Sequence, residues 1–288
     1  ERIVMALMVS ISGLRGIVGI DLTPDVAVKY ASAFAEYCNR GTVVIGRDGR
    51  VTGKILGNVI SSTLLAMGCD VTALGVCPTP TVQLAVEKAR AAGGISITAS
   101  HNSIEWNGMK FLAPTGLFLN ADENKKLWAI AGNPQRNYAS WDKQGKHTAD
   151  TSILDLHIRE VISLPYLHVS TIQRRRLNVV VDCVNGAGGV IVPKLLKELG
   201  CNVLEMNCDA SGMFAHTPEP VPENLSDLCT RVRQEKADLG IAVDPDADRL
   251  VLINEKGEPF GEEYTIASII KFVLGKESSP QSHKVVVN

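Results

Sequence analysis

Two short segments carry the residue types whose spacing could do chemistry. In Thr98-Ala99-Ser100-His101-Asn102, followed by Lys110, a hydroxyl sits among groups suited to binding an anion. A serine in such a loop can act as a nucleophile or carry a phosphoryl group, provided a base or a metal activates it. Asn107-Gly108 predicts a tight turn that returns Lys110 towards Ser100. A plain polar turn is the alternative reading. The second segment is Asp244-Pro245-Asp246-Ala247-Asp248-Arg249. Carboxylates at alternating positions can converge on one hard divalent cation, and Mg²⁺ takes oxygen ligands completed by phosphate oxygens or water. Without a cation such a cluster repels itself. Arg249 is placed to pair with a phosphate.

Other patterns compete for these residues. Asp244, Asp246, Asp248 and Glu255 match positions 1, 3, 5 and 12 of a calcium loop. Arg249 stands where that loop needs glycine, and an apolar strand pattern precedes it where a helix belongs. A strand ending in Asp-x-Asp also occurs in haloacid-dehalogenase-type phosphotransferases. Here Asp248 stands where those carry Thr or Val, and their downstream lysine and acidic pair are not visible. A P-loop is excluded, because Gly53-Lys54 is followed by Ile55 and Asp48 occupies the first glycine position. Gly186, Gly188 and Gly189 do not fit G-x-G-x-x-G and read as a turn and a helix start.

Both segments follow apolar runs, where open α/β sheets place their ligand loops. Strand patterns at Thr42–Gly46, Val71–Leu74 and Gly94–Thr98 alternate with helical patterns at Gly53–Met67, with an apolar stripe of Ile55, Leu56, Val59, Ile60, Leu64 and Leu65, and at Pro80–Arg90. The same alternation returns after the polar stretch Gly132–Asp150. Helix Thr151–Ser163, strand Leu177–Asp182, helix Val190–Leu199, strand Asn202–Met206, helix Leu225–Lys236, strand Leu239–Val243 and strand Val251–Asn254 follow in turn. A helix over Tyr264–Leu274 and a strand over Lys284–Val287 come last, and Ile3–Ile11 reads as a first buried strand. The expectation is an α/β protein of consecutive three-layer α/β/α domains with mostly parallel mixed sheets. The domains expected are 1–148, 149–254 and a truncated third over 255–288.

Composition excludes several classes. The chain of 288 residues is 45% hydrophobic and 21% charged, the balance of a globular protein, and is long enough for two domains and part of a third. Its formal charge of −2 argues against a nucleic-acid partner, and Arg174-Arg175-Arg176 reads as a solvated element edge. No apolar run approaches the ~20 residues of a membrane span. Seven cysteines without CxxC spacing read as buried free thiols in a reducing compartment, hence a cytoplasmic protein.

Taken together, the motifs resemble the α-D-phosphohexomutases. Thr98–Asn102 is similar to that family's phosphoserine loop, and Asp244–Arg249 to its metal loop, usually DGDADR. Ser12-Gly13-Leu14-Arg15-Gly16 resembles SGxRG, Gly46–Arg50 resembles GRDxR, and Pro218–Leu225 resembles PEPxPENL. Ser103 replaces a usual Pro, and Pro245 a usual Gly. Gly261-Glu262-Glu263 resembles a sugar-recognition loop but comes too soon after the metal loop, so it reads as the start of domain three.

The resemblance implies an N-terminal fragment of a four-domain enzyme, inactive alone. It implies an intramolecular phosphotransferase that interconverts hexose or hexosamine 1- and 6-phosphates through a phosphoserine. Phosphoglucosamine mutase-like activity comes first, then phosphomannomutase/phosphoglucomutase, and more distantly a sugar-phosphate-binding module. Ser100, Arg15, Lys110 and His101 would be catalytic, and Arg249, His216 and Asn102 would bind substrate or phosphate. Mg²⁺ would sit on Ser100, Asp244, Asp246 and Asp248, and glucose or hexosamine 1,6-bisphosphate would act as activator. The partner is a sugar phosphate, with a homodimer allowed.

Overall fold

A computed structural model describes residues 7–10 and 13–276. Strands β1 (Met8–Ser10) and β2 (Gly13–Ile17) open the chain, then α1 (Pro24–Tyr37), β3 (Val43–Arg47), α2 (Gly53–Ala66), β4 (Val71–Val76), α3 (Thr79–Ala89), β5 (Gly93–Ile97), β6 (Trp106–Leu112), α4 (Ala121–Gly132) and β7 (His147–Ala149). Helices α5 (Ile153–Ile162) and α6 (Val169–Arg175) lead into β8 (Asn178–Asp182), α7 (Val192–Glu198), β9 (Asn202–Met206), α8 (Ser226–Glu235), β10 (Leu239–Val243), β11 (Leu250–Ile253) and α9 (Glu262–Leu274).

Two sheets result. The first has the order β1-β2-β6-β5-β3-β4-β7, parallel across β5-β3-β4-β7 and antiparallel from β5 through β6 and β2 to β1. The second has the order β11-β10-β8-β9, parallel except at β10-β11. Each sheet is covered on both faces. In the first unit α1, α2 and α4 bury Phe34, Ile60, Leu64 and Leu127 against one face, and α3 buries Val82 and Val86 against the other. In the second unit α8 packs Leu228 and Val232 on one face and α7 packs Leu196 on the opposite one. These are the expected α/β/α layers, each made of a sheet apolar on both sides.

Local chemistry sets several helix starts. Thr23 accepts from the Val26 amide ahead of Pro24, and Asn120 closes a capping box with Glu123. The helix expected over Val190–Leu199 is shorter, because a 3₁₀ turn at Ala187–Val190 precedes α7 and Pro193 has no amide hydrogen to continue the ladder. Three further expectations need correction. Strand β1 is exposed rather than buried, since it pairs at the sheet edge. Asn107-Gly108 is no turn: both lie inside β6, which pairs with β2 and β5 and so overrides the local turn preference. Ile55, counted in an apolar helical stripe, is 67% exposed. The strand expected over 284–287, most of Ile3–Ile11 and the residue Ser12 lie outside the described residues.

The parallel strands matter most for function, because their C-terminal ends meet. Ser100 follows β5, Asp48 and Arg50 follow β3, Thr79 follows β4, and Asp244–Asp248 follow β10 of the second sheet.

Candidate active site at the junction of the two sheets

The loop after β5 is held in a strained shape. Ser100 has φ +50°, a left-handed conformation that costs a non-glycine residue on the order of 1 kcal/mol and persists only where the surroundings over-determine it. They do. The Ser100 amide donates to Thr98 Oγ1 at 2.9 Å, and Thr98 Oγ1 donates to Asp48 Oδ2 at 2.7 Å. Arg50, fully buried, donates to the carbonyls of Ser100 (2.7 Å), Asn102 (2.6 Å), Ser103 (2.6 Å) and Trp106 (2.9 Å), and to Asp48 Oδ2 at 3.0 Å. The neighbouring β6 runs so close that a Cβ on Gly108 would meet the carbonyls of Leu14 and Thr98.

From the other sheet comes the carboxylate loop. Ala247, also at φ +50°, bends it so that ligand oxygens of Asp244, Asp246 and Asp248 lie within 4.8 Å of one another. The amides of Asp248 and Arg249 both donate to Asp244 Oδ1 at 3.1 Å. Gly186 backs the loop, since a Cβ there would strike the Pro245 backbone at 2.6 Å.

Three side chains of the first unit meet the carboxylate loop, through four hydrogen bonds. Ser100 Oγ donates to Asp244 Oδ2 at 2.9 Å. Lys110 Nζ, on β6, donates to Asp246 Oδ2 at 2.6 Å and to Asp248 Oδ2 at 2.7 Å. Thr79 donates its hydroxyl to Asp246 Oδ2 at 2.5 Å and its amide to the Asp246 carbonyl at 2.9 Å. Lys110 therefore reaches the site along a strand, not around a turn.

Charge and burial set the protonation of this cluster. Burial pushes the Asp244 carboxyl well above the usual carboxylate range, and the charges of Asp246 and Asp248 push it further. Asp246 is also raised by burial, but the Lys110 ammonium and its hydrogen bond outweigh this and bring it below the usual range. Burial lowers Lys110, yet Asp246 and Asp248 outweigh it and leave the ammonium favoured. The cluster thus favours an ammonium at Lys110 and a carboxylate at Asp246, and disfavours charge on Asp244.

The remaining predicted residues fall in two places. Arg15 donates to Asn102 Oδ1 at 3.2 Å. Arg249 Nη1 lies 3.4 Å from Glu219 Oε1, and His101 Nε2 lies 4.0 Å from the same oxygen, so both approach the Ser100 side of the junction. Burial and the cations Arg249 and Arg15 lower His101 below its usual value, against the opposing pull of Glu219. His216 stands apart: Nε2 is 3.1 Å from Asp182 Oδ2 and Nδ1 is 2.8 Å from the Thr217 carbonyl. Both partners are acceptors, so both ring nitrogens are engaged by the protein. Three polar atoms in this set are buried without a hydrogen-bond partner: Arg15 Nε, His101 Nδ1 and Asp246 Oδ1. A bare carboxylate oxygen beside two further carboxylates, with cationic and imidazole nitrogens nearby, fits a divalent cation and an anionic ligand.

Sequence reading missed Thr79 and the role of Arg50. Thr79 lies between Pro78 and Pro80 at a strand-to-helix turn, a position that could have marked it. Arg50 lies in the quoted Gly46–Arg50 motif, but its four carbonyl partners are distant in sequence. The calcium-loop alternative does not stand, since β10, not a helix, precedes Asp244. The seven cysteines are all free thiols. Among the described residues no helix is long and apolar enough to cross a membrane.

Both α/β/α units, joined over a serine loop and a carboxylate loop, have counterparts in one protein family. The family description "Phosphoglucomutase/phosphomannomutase, alpha/beta/alpha domain I" matches residues 7–137, and its domain II matches residues 155–257. The chain belongs to the phosphoglucomutase/phosphomannomutase family. It is 38% identical over 278 residues to a Methanopyrus kandleri protein named "Probable phosphoglucosamine mutase", covering 96% of this chain and 60% of that protein. It is 39% identical over 268 residues to a phosphoglucomutase/phosphomannomutase of Thermococcus kodakarensis, covering 91% of this chain and 58% of that protein. A crystal structure of a phosphoglucomutase/phosphomannomutase family protein from Burkholderia thailandensis superposes with a TM-score of 0.80 at 28% identity, over 93% of this chain and 60% of that one. The chain thus spans about 60% of the length of the relatives it matches.

Proposed function

We propose that this chain carries the phosphoryl-transfer centre of a mutase that interconverts the 1- and 6-phosphates of a hexosamine or hexose, with Ser100 as the phosphate carrier. The observation that carries this reading is the Ser100 hydroxyl 2.9 Å from Asp244, inside a cluster that joins three carboxylates to the Lys110 ammonium. Both kinds of relative match at nearly the same identity, 38% and 39%. A hexosamine phosphate is the first substrate to test and a hexose phosphate the second. We further place a domain boundary after Asp150, because β7 and the Asp150 amide still belong to the first sheet. A second boundary falls in the turn Asn254–Glu258.

In this reading the phosphorus–oxygen bond at Ser100 breaks as one to a sugar hydroxyl forms, and the hydroxyl proton ends on Ser100 Oγ. The sugar, now bisphosphorylated, turns over and returns its other phosphate to Ser100. Asp244, Asp246 and Asp248, with Ser100, would hold Mg²⁺, which when bound neutralises charge on the transferring phosphoryl group. Lys110 stays an ammonium and so contributes charge and a proton donor, not a base. Arg15 and Arg249 bind phosphate oxygens, Asn102 orients Arg15, and His101 offers its unpartnered Nδ1 to the ligand. His216, engaged on both nitrogens, fixes the loop it sits on rather than contacting phosphate. Transfer then depends on in-line positioning and charge neutralisation.

The test is mass spectrometry of the purified protein after incubation with glucose 1,6-bisphosphate, in Mg²⁺ and in EDTA. Phosphate on Ser100 alone, formed only with Mg²⁺, is the expected result. An unmodified Ser100 in Mg²⁺, or phosphate on Asp244, would overturn the reading.

A further inference from the structure

Arg50 is joined to more of the Ser100 loop than any residue assigned a role above. Its guanidinium has five N–H donors. All are spent: one on Asp48 and four on the carbonyls of Ser100, Asn102, Ser103 and Trp106. The Asp48 carboxylate is itself tied to Thr98, whose hydroxyl accepts from the Ser100 amide. The clamp therefore grips the loop on both sides of the strained serine. A planar five-donor fork suits this task; a lysine offers three donors from one point.

The outer face of that guanidinium is covered by the other unit. The Phe214 ring lies 4.9 Å from the Arg50 carbon. Phe214 is positioned by the second unit, because Asn185 Nδ2 donates to the Met213 carbonyl at 2.9 Å and the Gly212 amide donates to the Asn185 carbonyl at 2.8 Å. The seam beside it has no slack. A Cβ on Gly49 would meet the Ala210 and Asn185 carbonyls at 2.9 and 3.0 Å, and one on Gly212, at φ +72°, would overlap the Gly49 carbonyl. A displacement of the 210–214 segment must therefore be felt at residues 49–50.

We infer that Arg50 is a positioning residue for phosphoryl transfer, and that Phe214, stacked on its guanidinium, makes the geometry of the Ser100 loop depend on how the second unit is seated. The proposal rests on the reading of Ser100 as phosphate carrier. It adds a consequence: the loop that accepts the phosphoryl group is shaped correctly only while the unit bearing the carboxylates is in place.

Two readouts test it on the purified protein. Hydrogen exchange reports the loop through the amides of Ser100, Asn102 and Trp106, each hydrogen-bonded within it, with α1 as internal control. The rate of Ser100 phosphorylation by glucose 1,6-bisphosphate, at saturation and at half-saturation, reports function. Phe214→Leu keeps apolar bulk but removes the aromatic face. It should speed exchange at those three amides and slow maximal phosphorylation about fivefold, the factor a partly exposed cation–π contact carries, at unchanged half-saturation. Phe214→Trp retains an aromatic face and should keep the loop protected. Arg50→Lys should slow phosphorylation on the order of 100-fold with α1 exchange unchanged. If Arg50→Lys does not fold, the Leu/Trp pair still decides. Equal loop exchange in wild type, Phe214→Leu and Phe214→Trp would overturn the inference. A wild-type protein that takes no phosphate at Ser100 would instead remove the carrier reading and leave the exchange arm to judge the clamp.

Discussion

Lys110→Met probes the charge balance of the junction directly. The lysine side chain is 4% exposed and Asp246 is 1% exposed, so the pair is buried on both sides. Removing one partner of such a pair costs about 3–5 kcal/mol, because the other charge is left uncompensated. Asp248 is 26% exposed, so losing its bond adds at most about 1 kcal/mol. Methionine fills much of the space of the lysine stem, so little cavity forms. We expect a loss of about 3–5 kcal/mol near pH 8 in EDTA, a large share of the 5–15 kcal/mol that typically stabilises a domain.

The sign of its pH dependence is a sharper test. In the wild type Asp246 lies below the usual carboxylate range, so its contribution is present above that range and is lost only as pH falls through the depressed value. In the variant the main force lowering Asp246 is gone while burial remains, so the carboxyl moves up. Stability then falls as pH rises from the usual carboxylate value to the raised one. The gap between the two proteins should therefore widen from about pH 5 to about pH 8, and added Mg²⁺ should narrow it by supplying a replacement cation. Urea unfolding followed by circular dichroism at about pH 5 and about pH 8, in EDTA and in Mg²⁺, measures this. A gap under about 1 kcal/mol at the higher pH, or one that does not change with pH, would refute the compensation argued here.

Ser100→Ala should abolish phosphorylation from the bisphosphate while changing stability by about 1 kcal/mol or less, since it removes one hydrogen bond to Asp244; residual phosphate on the protein after incubation would count against Ser100. Asp246→Asn keeps the shape of a ligand but not its charge, and should weaken Mg²⁺ binding by about tenfold or more in calorimetry; an unchanged affinity would place the ion elsewhere. His216 lies above its usual value, chiefly through its hydrogen bond to Asp182, so the stability it adds is full below about pH 6.5 and is lost as pH rises through the raised value. The melting temperature of His216→Gln should therefore fall furthest behind wild type in acid and approach it in base, and a gap that grows with pH would show that the ring is not an imidazolium.

Much of this arrangement was legible because its signals are local. Asp244, Asp246 and Asp248 stand at alternate positions directly after an apolar strand, and Ser100 stands at the end of another. Strand ends are where α/β sheets display their chemistry, so residue type and position agreed. What the sequence hid are relations between distant residues. Lys110 meets Asp246 from 136 positions away, and nothing near either residue announces the other. Arg50 sits two residues from Asp48, which suggests a local pair, whereas its remaining donors reach carbonyls 50 to 56 positions on. Asn107-Gly108 misled because a dipeptide preference is weak against two flanking strands. The resemblance implies a ligand contact for His216, and nothing near it announces Asp182, its partner 34 residues earlier.

Charges of opposite sign are divided between the two units. The second unit supplies the carboxylates; the first supplies Lys110, the Ser100 and Thr79 hydroxyls and the Arg50 clamp. Separated, the second unit would present three clustered carboxylates without a cation, and the first an ammonium without its anions. Clustered like charge shifts towards proton uptake, whereas the joined units satisfy each other's charges. The same contacts therefore hold the units together and prepare the serine. Loosening the junction would also free the seam at Gly49 and Gly212, which lies directly beside the Asp48–Arg50 pair that grips the Ser100 loop.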